Sequence, residues 1–444
     1  MAADVLYLSF DGVLQPLAFS QVVRVVAGLA RRGHRYHVLS LERPADLAQP
    51  GLRRAVEAQL LSAGAAWTPL AQGAMGSPRA AARAIIRATE RAVAISRRHQ
   101  IRLAHARGYV SALVARALER LLGVPYVFDA RGYWIEERSG PGNWFSGALS
   151  YAAGKYVEQK LFRGARAVVT LTELQAADVA SGLFGPPPRL LEVIPTCADY
   201  DAFYLRESRP TKPPPGGPVP QAVQCRLADK NVIGIVGALN ATYLVDETLA
   251  LARLVLRQAE SAHLLVLSNQ RQEYESALRS AGIEPDRWTI ASATHESMPD
   301  WLQWIDWGLL LVPESVANRA KMPTKLAEFF ATGVRPVFFG CNSDAGSWVE
   351  RAGSGITLRS VDGDGLRSAA RAIAEQPIDP QRLRAARDAT APHFSLAAGL
   401  DRYSRLLEAC VAGGPAREWP RAAQAASRRA RGAAPRSNGP AAET

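Results

Sequence analysis

The sequence predicts an α/β chain built as two doubly wound domains that face each other across a cleft. Three observations carry this. At 444 residues the chain is too long for one ordinary core and suits two. Short apolar runs alternate with longer helical patterns, which is the signature of βα units and parallel sheets. The segment "RPTKPPPGGPVPQ" (Arg209–Gln221) holds six prolines and two glycines, too many for a regular element, and the alternation restarts after it.

In the first half, strands are expected at Val5–Phe10, Arg35–Glu42, Ala66–Leu70, Ile101–Ala106, Pro125–Asp129, Ala167–Leu171 and Leu191–Pro195. Helices are expected between them at Ser20–Arg32, Arg53–Ala63, Arg79–Gln100, Val110–Leu122 and Ala148–Arg163. In the second half, "NVIGIVGAL" opens a strand. Further strands follow at His263–Leu267, Trp288–Ala291, "WGLLLVP", "RPVFF" and Ile356–Arg359. Helices are placed near Glu247–Gln258, Glu273–Ala281, Pro299–Ile305, Thr324–Ala331 and Ala345–Ala352, and three more close the chain. The expected division is a Rossmann-like domain over 1–205, a Pro-rich linker over 206–229 and a second Rossmann-like domain over 230–378. Crossover helices over 379–413 and a disordered basic tail over 414–444 complete it.

Four cysteines without CxxC pairing argue against a zinc site or a disulfide framework and fit a reducing cytosol. No signal peptide or bilayer-spanning run is evident, so the expected location is cytoplasmic, with peripheral contact on the inner face of the plasma membrane. The net charge of +12 favours anionic partners, either phosphates or an anionic membrane face. The chain lacks a basic stripe interleaved with aromatics, so nucleic acid is not expected as a partner.

Several stretches carry candidate chemistry. The loop "SFDGVLQPLAFSQ", with Asp11 and Gly12, follows the first strand, where a doubly wound sheet meets its ligand. His105 and Arg107 end one strand; Asp129 and Arg131 end the next, followed by Trp134, Glu136 and Glu137. Such groups can neutralise phosphate or accept a hydroxyl proton. In "GIVGALNATYLVDE", Gly234 and Gly237 allow close backbone approach, so that the amides of Ala238 to Ala241, with Asn240 among them, can meet a diphosphate.

The fourth stretch is "NRAKMPTKLAEFFATG". It holds Lys321 and Lys325, two of only six lysines among 53 basic residues. Pro323 and Thr324 start a helix that stops at Gly333, and the two lysines with the helix N-terminus form an anion site. Glu328, one turn in, is suited to the two hydroxyls of a ribose. The D-x-D spellings at Asp199–Asp201 and Asp362–Asp364 supply no converging carboxylates, and no metal site is assigned.

The chain resembles GT-B-fold glycosyltransferases of the retaining, nucleotide-sugar-dependent family 4 over about Asp4 to Gly413. The stretches that carry the likeness are "HARGYVSALVAR", "FDARGYWIEER", "AVVTLTE", "VIPTCADYDAF" and "PTKLAEFFATGVRPVFF". The resemblance implies that the second domain binds a nucleotide sugar, UDP- or GDP-linked, through Gly237, Asn240, Lys321, Thr324, Lys325 and Glu328. It implies an acceptor, a glycan or a polyprenyl-linked lipid, on the first domain near Asp11, Gly12, Trp134, Glu136 and Glu137, with His105, Arg107, Asp129 and Arg131 as the catalytic group. It also implies transfer with retention, without a metal or other cofactor, in cell-surface or exopolysaccharide assembly. Where the family pattern has another Glu, eight residues before Glu328, this chain has Ala320. The common Arg/Lys pair of the second domain is reduced to Arg271. A GT-B-fold epimerase and a non-catalytic sugar-nucleotide-binding protein are the alternatives.

Overall fold

The computed structural model describes residues 3–15, 18–73, 78–140, 142–205, 217–240, 242–340 and 342–412. The expected basic tail and the centre of the Pro-rich segment, 206–216, lie outside these residues.

The first domain is a seven-stranded parallel sheet: β1 (Asp4–Ser9), β2 (Arg35–Glu42), β3 (Ala66–Ala71), β4 (Leu103–Arg107), β5 (Tyr126–Ala130), β6 (Ala167–Thr170) and β7 (Leu190–Val193). Their order is β3-β2-β1-β4-β5-β6-β7, so the winding reverses between β1 and β4. The central strands β4 and β5 are buried along their whole length, as inner strands covered on both faces of a doubly wound sheet must be. The second domain repeats the plan with six parallel strands: β8 (Asn231–Val236), β9 (Ala262–Leu267), β10 (Trp288–Ala291), β11 (Trp307–Leu311), β12 (Arg335–Phe339) and β13 (Ile356–Leu358). The order is β10-β9-β8-β11-β12-β13, with its reversal between β8 and β11. Ligand crevices form where the order reverses, at the carboxyl ends of the strands.

Every expected strand is present, within a few residues at each end. Part of the stretch expected as linker is helical. Gln221–Leu227 is a helix whose Leu227 is fully buried in the second-domain core, with Gln224 Nε2 donating to Val219 O at 2.7 Å. Val223 and Leu227, four residues apart, give it an apolar face to bury, which the adjoining prolines masked. Glycine fixes two close approaches. A Cβ on Gly234 would meet Ile305 at 2.5 Å, which makes this glycine a packing residue. A Cβ on Gly308 would enter the ring of Phe329, so only glycine lets the Thr324–Thr332 helix lie directly on β11.

The last two helices tie the domains together. Pro380–Phe394 packs in the second-domain core through Ala386 and Phe394. Leu396–Ala412 crosses back and contributes Leu400, Tyr403, Leu406, Leu407 and Cys410 to the first-domain core. The corner between them is pinned by Ala198 N–H to Phe394 O (2.9 Å) and Leu396 N–H to Ala198 O (2.7 Å). Arg387 donates to the carbonyls of Tyr200, Phe203 and Ala331. Among the described residues no helix is long and apolar enough to cross a membrane.

Candidate active site

The loop after β1 takes its shape from a residue the sequence did not single out. Glu42, fully buried at the end of β2, accepts the N–H groups of Val13 (2.8 Å) and Leu14 (3.2 Å). Gly12 sits at φ +65°, where a Cβ would lie 3.1 Å from Glu42 Oε2 and from Leu41 O, so glycine is required. Asp11 then projects into solvent, its side chain 70% exposed, with Oδ2 3.8 Å from Arg107 Nε.

The four residues expected to be catalytic do come together, but not as an open group. His105 and Asp129 have no exposed surface. Asp129 Oδ2 accepts from Arg131 Nη2 at 2.9 Å and from Tyr403 OH at 3.1 Å, and lies 3.6 Å from His105 Nε2. Arg131 Nη2 also reaches Tyr403 OH at 3.1 Å, and Tyr7 and Tyr403 enclose the imidazole ring. Burial by itself would raise the Asp129 carboxyl, but Arg131, then His105 and Arg107, hold it well below the usual carboxylate range. Burial pushes His105 below its ordinary value, with Asp129 pulling the other way, and pushes Tyr7 up to about 12. This is a charge-compensated interior network behind the rim. In this conformation His105 and Asp129 present nothing to a substrate, whereas Arg107 and Arg131 lie at its outer edge, at the ends of β4 and β5.

Beyond β5, Trp134–Glu137 forms one helical turn. Trp134 stacks on Tyr109 at 5.8 Å and meets Phe145 edge-on, so its ring packs inward, with Arg138 above it. Glu136 pairs with Lys155 at 2.8 Å, and Glu137 reaches Lys321 of the second domain at 3.4 Å. Of the three, Glu137 therefore marks the cleft.

On the second domain, Gly237 (φ +130°) turns the chain at the end of β8, and its carbonyl accepts Tyr274 OH at 3.2 Å. The amide of Leu239 is already taken by Gln270 Oε1 at 2.7 Å, and Asn240 Oδ1 accepts from Thr242 N–H at 2.9 Å. Of the expected row of phosphate-facing amides, Leu239 is thus engaged, and Ala241 lies outside the described residues. The Thr324–Thr332 helix has Pro323 as its N-cap, no side chain caps it, and Thr324 is its first helical residue. That leaves the first turn without a side-chain cap on its amides, as an anion site needs. Lys325 Nζ pairs with Glu328 Oε2 at 2.9 Å, and Glu328 is 4% exposed. Ala320 is fully buried against first-domain apolar side chains, so the position where the family pattern has a carboxylate here closes the seam between domains. Arg271 binds Glu275 (3.1 Å) and Ile290 O (2.6 Å), at the side of the sheet.

A narrow crevice between the domains joins Gln21, Arg24, Asp199, Phe203, His295 and Glu328. His295 lies in the loop after β10, edge-on to Phe19 of the first domain at 6.1 Å, and was not legible as a site residue. Asp199, the first acid of "DYD", pairs with Arg24 at 3.1 Å and accepts the amides of Asp201 and Ala202; Asp362 of "DGD" caps a helix through Gly365 N–H. Both have structural partners.

Residues 20–197 match the family model described as a glycosyl transferase 4-like domain. No curated protein sequence matches the chain. Solved structures agree in fold over nearly the whole length. Sucrose-phosphate synthase from Thermosynechococcus elongatus superposes with a TM-score of 0.69 at 15% identity, covering 93% of this chain and 100% of that one. HepE from Anabaena, in complex with UDP and glucose, gives 0.63 at 13%, covering 91% and 99%. The α,α-trehalose 6-phosphate synthase from Burkholderia multivorans gives 0.63 at 13%, covering 93% and 100%. The chain shares the GT-B fold of these structures. Its first domain is a glycosyl transferase 4-like domain, and its two facing sheets are the GT-B architecture from end to end.

Proposed function

We propose that the protein transfers a sugar from a UDP- or GDP-sugar to a glycan or polyprenyl-linked acceptor, with retention and without a metal, in cell-surface polysaccharide assembly. The observation that carries this is the uncapped N-terminus of the Thr324–Thr332 helix, with Lys321 and Lys325 beside it at the mouth of the second sheet. Helix amides and fixed cations are what a departing diphosphate needs, because its charge grows as the bond to the sugar breaks. The structures of HepE with UDP and with UDP-glucose support a nucleotide-sugar donor in a chain of this fold.

The acceptor oxygen bonds to the anomeric carbon on the face the leaving group vacates, and the bond from that carbon to the diphosphate breaks. The acceptor proton passes to a phosphate oxygen. No strong general base is required, which agrees with the burial of His105 and Asp129. Arg107, Arg131 and the Asp11 loop line the acceptor side, and closure of the two domains excludes water from the donor.

A thermal-shift panel of UDP-, GDP-, ADP- and CMP-sugars tests this. Stabilisation by a UDP- or GDP-sugar is expected, and binding of none of the four would refute the proposal. Incubation with donor alone then separates transfer from epimerisation, since an epimerase converts its donor without an acceptor.

A further inference from the structure

The helix Ala148–Gly164 is apolar on two sides. Its inner face buries Gly154, Leu161 and Phe162 in the first domain. Its outer face leaves Leu149 89%, Tyr156 60% and Val157 41% exposed, and Trp144, in the turn just before it, 46% exposed. A surface helix of a soluble domain ordinarily turns a polar face outward, and one that is apolar all round expects a second partner.

Charge indicates what that partner is. Between Gly142 and Arg166 the only acid is Glu158, against Lys155, Lys160, Arg163 and Arg166. Glu158 is 1% exposed and points inward, where it accepts from Tyr109 OH and pairs with Lys155. The outer face therefore combines aromatic and aliphatic side chains with cations, and the neighbouring carboxylate of Glu136 is paired with Lys155. Lys160 Nζ lies over the ring of Tyr156, 4.9 Å from its centroid, so the ammonium is held beside the apolar surface. Aromatic rings at headgroup depth, with lysine and arginine reaching lipid phosphates, are how a helix lies in a bilayer interface. A second copy of this face would offer no acid to answer those cations.

We propose that this face, from Trp144 through Arg163, docks the protein on an anionic bilayer. Trp134 packs inward against Tyr109 and Phe145, and the exposed apolar surface begins at Trp144. Its position gives the contact a purpose. The helix is tied to the Trp134–Glu137 turn through Lys155 and Glu136, and Glu137 meets Lys321 across the cleft. A bilayer on this face lies beside the cleft mouth, where a lipid-linked acceptor has to enter.

Vesicle co-sedimentation of the full chain tests the proposal independently of donor chemistry. Wild-type protein is expected to bind phosphatidylglycerol–phosphatidylcholine vesicles and to bind pure phosphatidylcholine weakly. L149E/Y156E should lower the partition coefficient about tenfold or more, with melting temperature and nucleotide-sugar binding unchanged. L149S serves as the milder variant should the double substitution melt early, and should show a smaller loss in the same direction. The basic tail is present in every sample, so anionic binding that survives L149E/Y156E at full strength overturns the proposal. Failure of wild-type protein to bind anionic vesicles overturns it too. So does a dimer in light scattering that L149E/Y156E dissociates while vesicle binding is absent, since the face is then a self-interface.

Discussion

Lys325 has two obligations. It neutralises the nearly buried carboxylate of Glu328 and, in the proposed complex, faces the diphosphate. K325A should therefore weaken UDP- or GDP-sugar binding by about tenfold or more and also destabilise the protein by about 1–3 kcal/mol, because it leaves a buried charge unpaired. E328A removes both the ribose contact and the need for a counter-charge, so affinity should fall with a smaller loss of stability. Calorimetric titration and urea unfolding on both variants check this; unchanged affinity in both would sink the donor-site assignment. Tyr403 is the first-domain counterpart. Its hydroxyl lies 3.1 Å from both Asp129 Oδ2 and Arg131 Nη2. Y403F deletes that hydroxyl with the ring in place, and an unfolding free energy lower by about 1–3 kcal/mol with unaltered nucleotide binding is expected.

The elements differ in how far they could be read in advance. The Thr324–Thr332 helix was legible because both its signals are local: Pro323 fixes the entry, and Gly333, at φ +78°, stops it. Strands β9 and β11 were legible because burial on both faces writes nearly uninterrupted apolar runs. What escaped were partners brought together by tertiary structure. Tyr403 lies 274 residues from Asp129 and Glu42 29 residues from Val13, and no spacing rule links either pair. The same gap keeps the burial of the strand-end cluster out of reach of the sequence. Polar residues at the ends of β4 and β5 imply a reactive rim, but only the crossover helix reveals that two of them are sealed beneath Tyr403. Glu42 offers a test at this scale. E42A leaves two loop amides without an acceptor, and weaker acceptor binding is expected, seen as a several-fold higher KM with donor affinity retained. An unaltered KM would show that the loop holds its shape without Glu42.

Across the whole molecule, histidine burial sets the response to acid. Burial holds His34, His37, His105, His263, His295 and His393 below their ordinary values, His37 and His263 at about 4. The unfolded chain takes up these protons at higher pH than the folded one does. The associated stability is therefore complete above about pH 6.5 and is lost as pH falls toward the depressed values. Depressed Asp129 acts in the same direction at lower pH. Glu158 and Asp344, both raised by burial, oppose it: their contribution is present at low pH and lost as pH rises through their raised values. The six histidines outnumber them, so the melting temperature should drop by several degrees between pH 6.5 and 4. In H263Q the drop should be smaller. Glutamine does not titrate and can still bond Thr289 Oγ1, which lies 3.0 Å from His263 Nε2. A pH profile of equal steepness would show that His263 does not contribute.

The crossover helix also bears on how the chain is made. Leu400, Tyr403, Leu406, Leu407 and Cys410 belong to the core of the domain that begins at the N-terminus. That core waits for the last turn of Leu396–Ala412, although its strands are finished at Val193. At about 5–20 residues per second, a ribosome needs roughly 10–40 s to cover that interval. For that time the nascent first domain exposes the surface over Gly28 that Leu400 later covers. The domain translated first is thus the last to close, and that exposed surface is where a chaperone has most to protect.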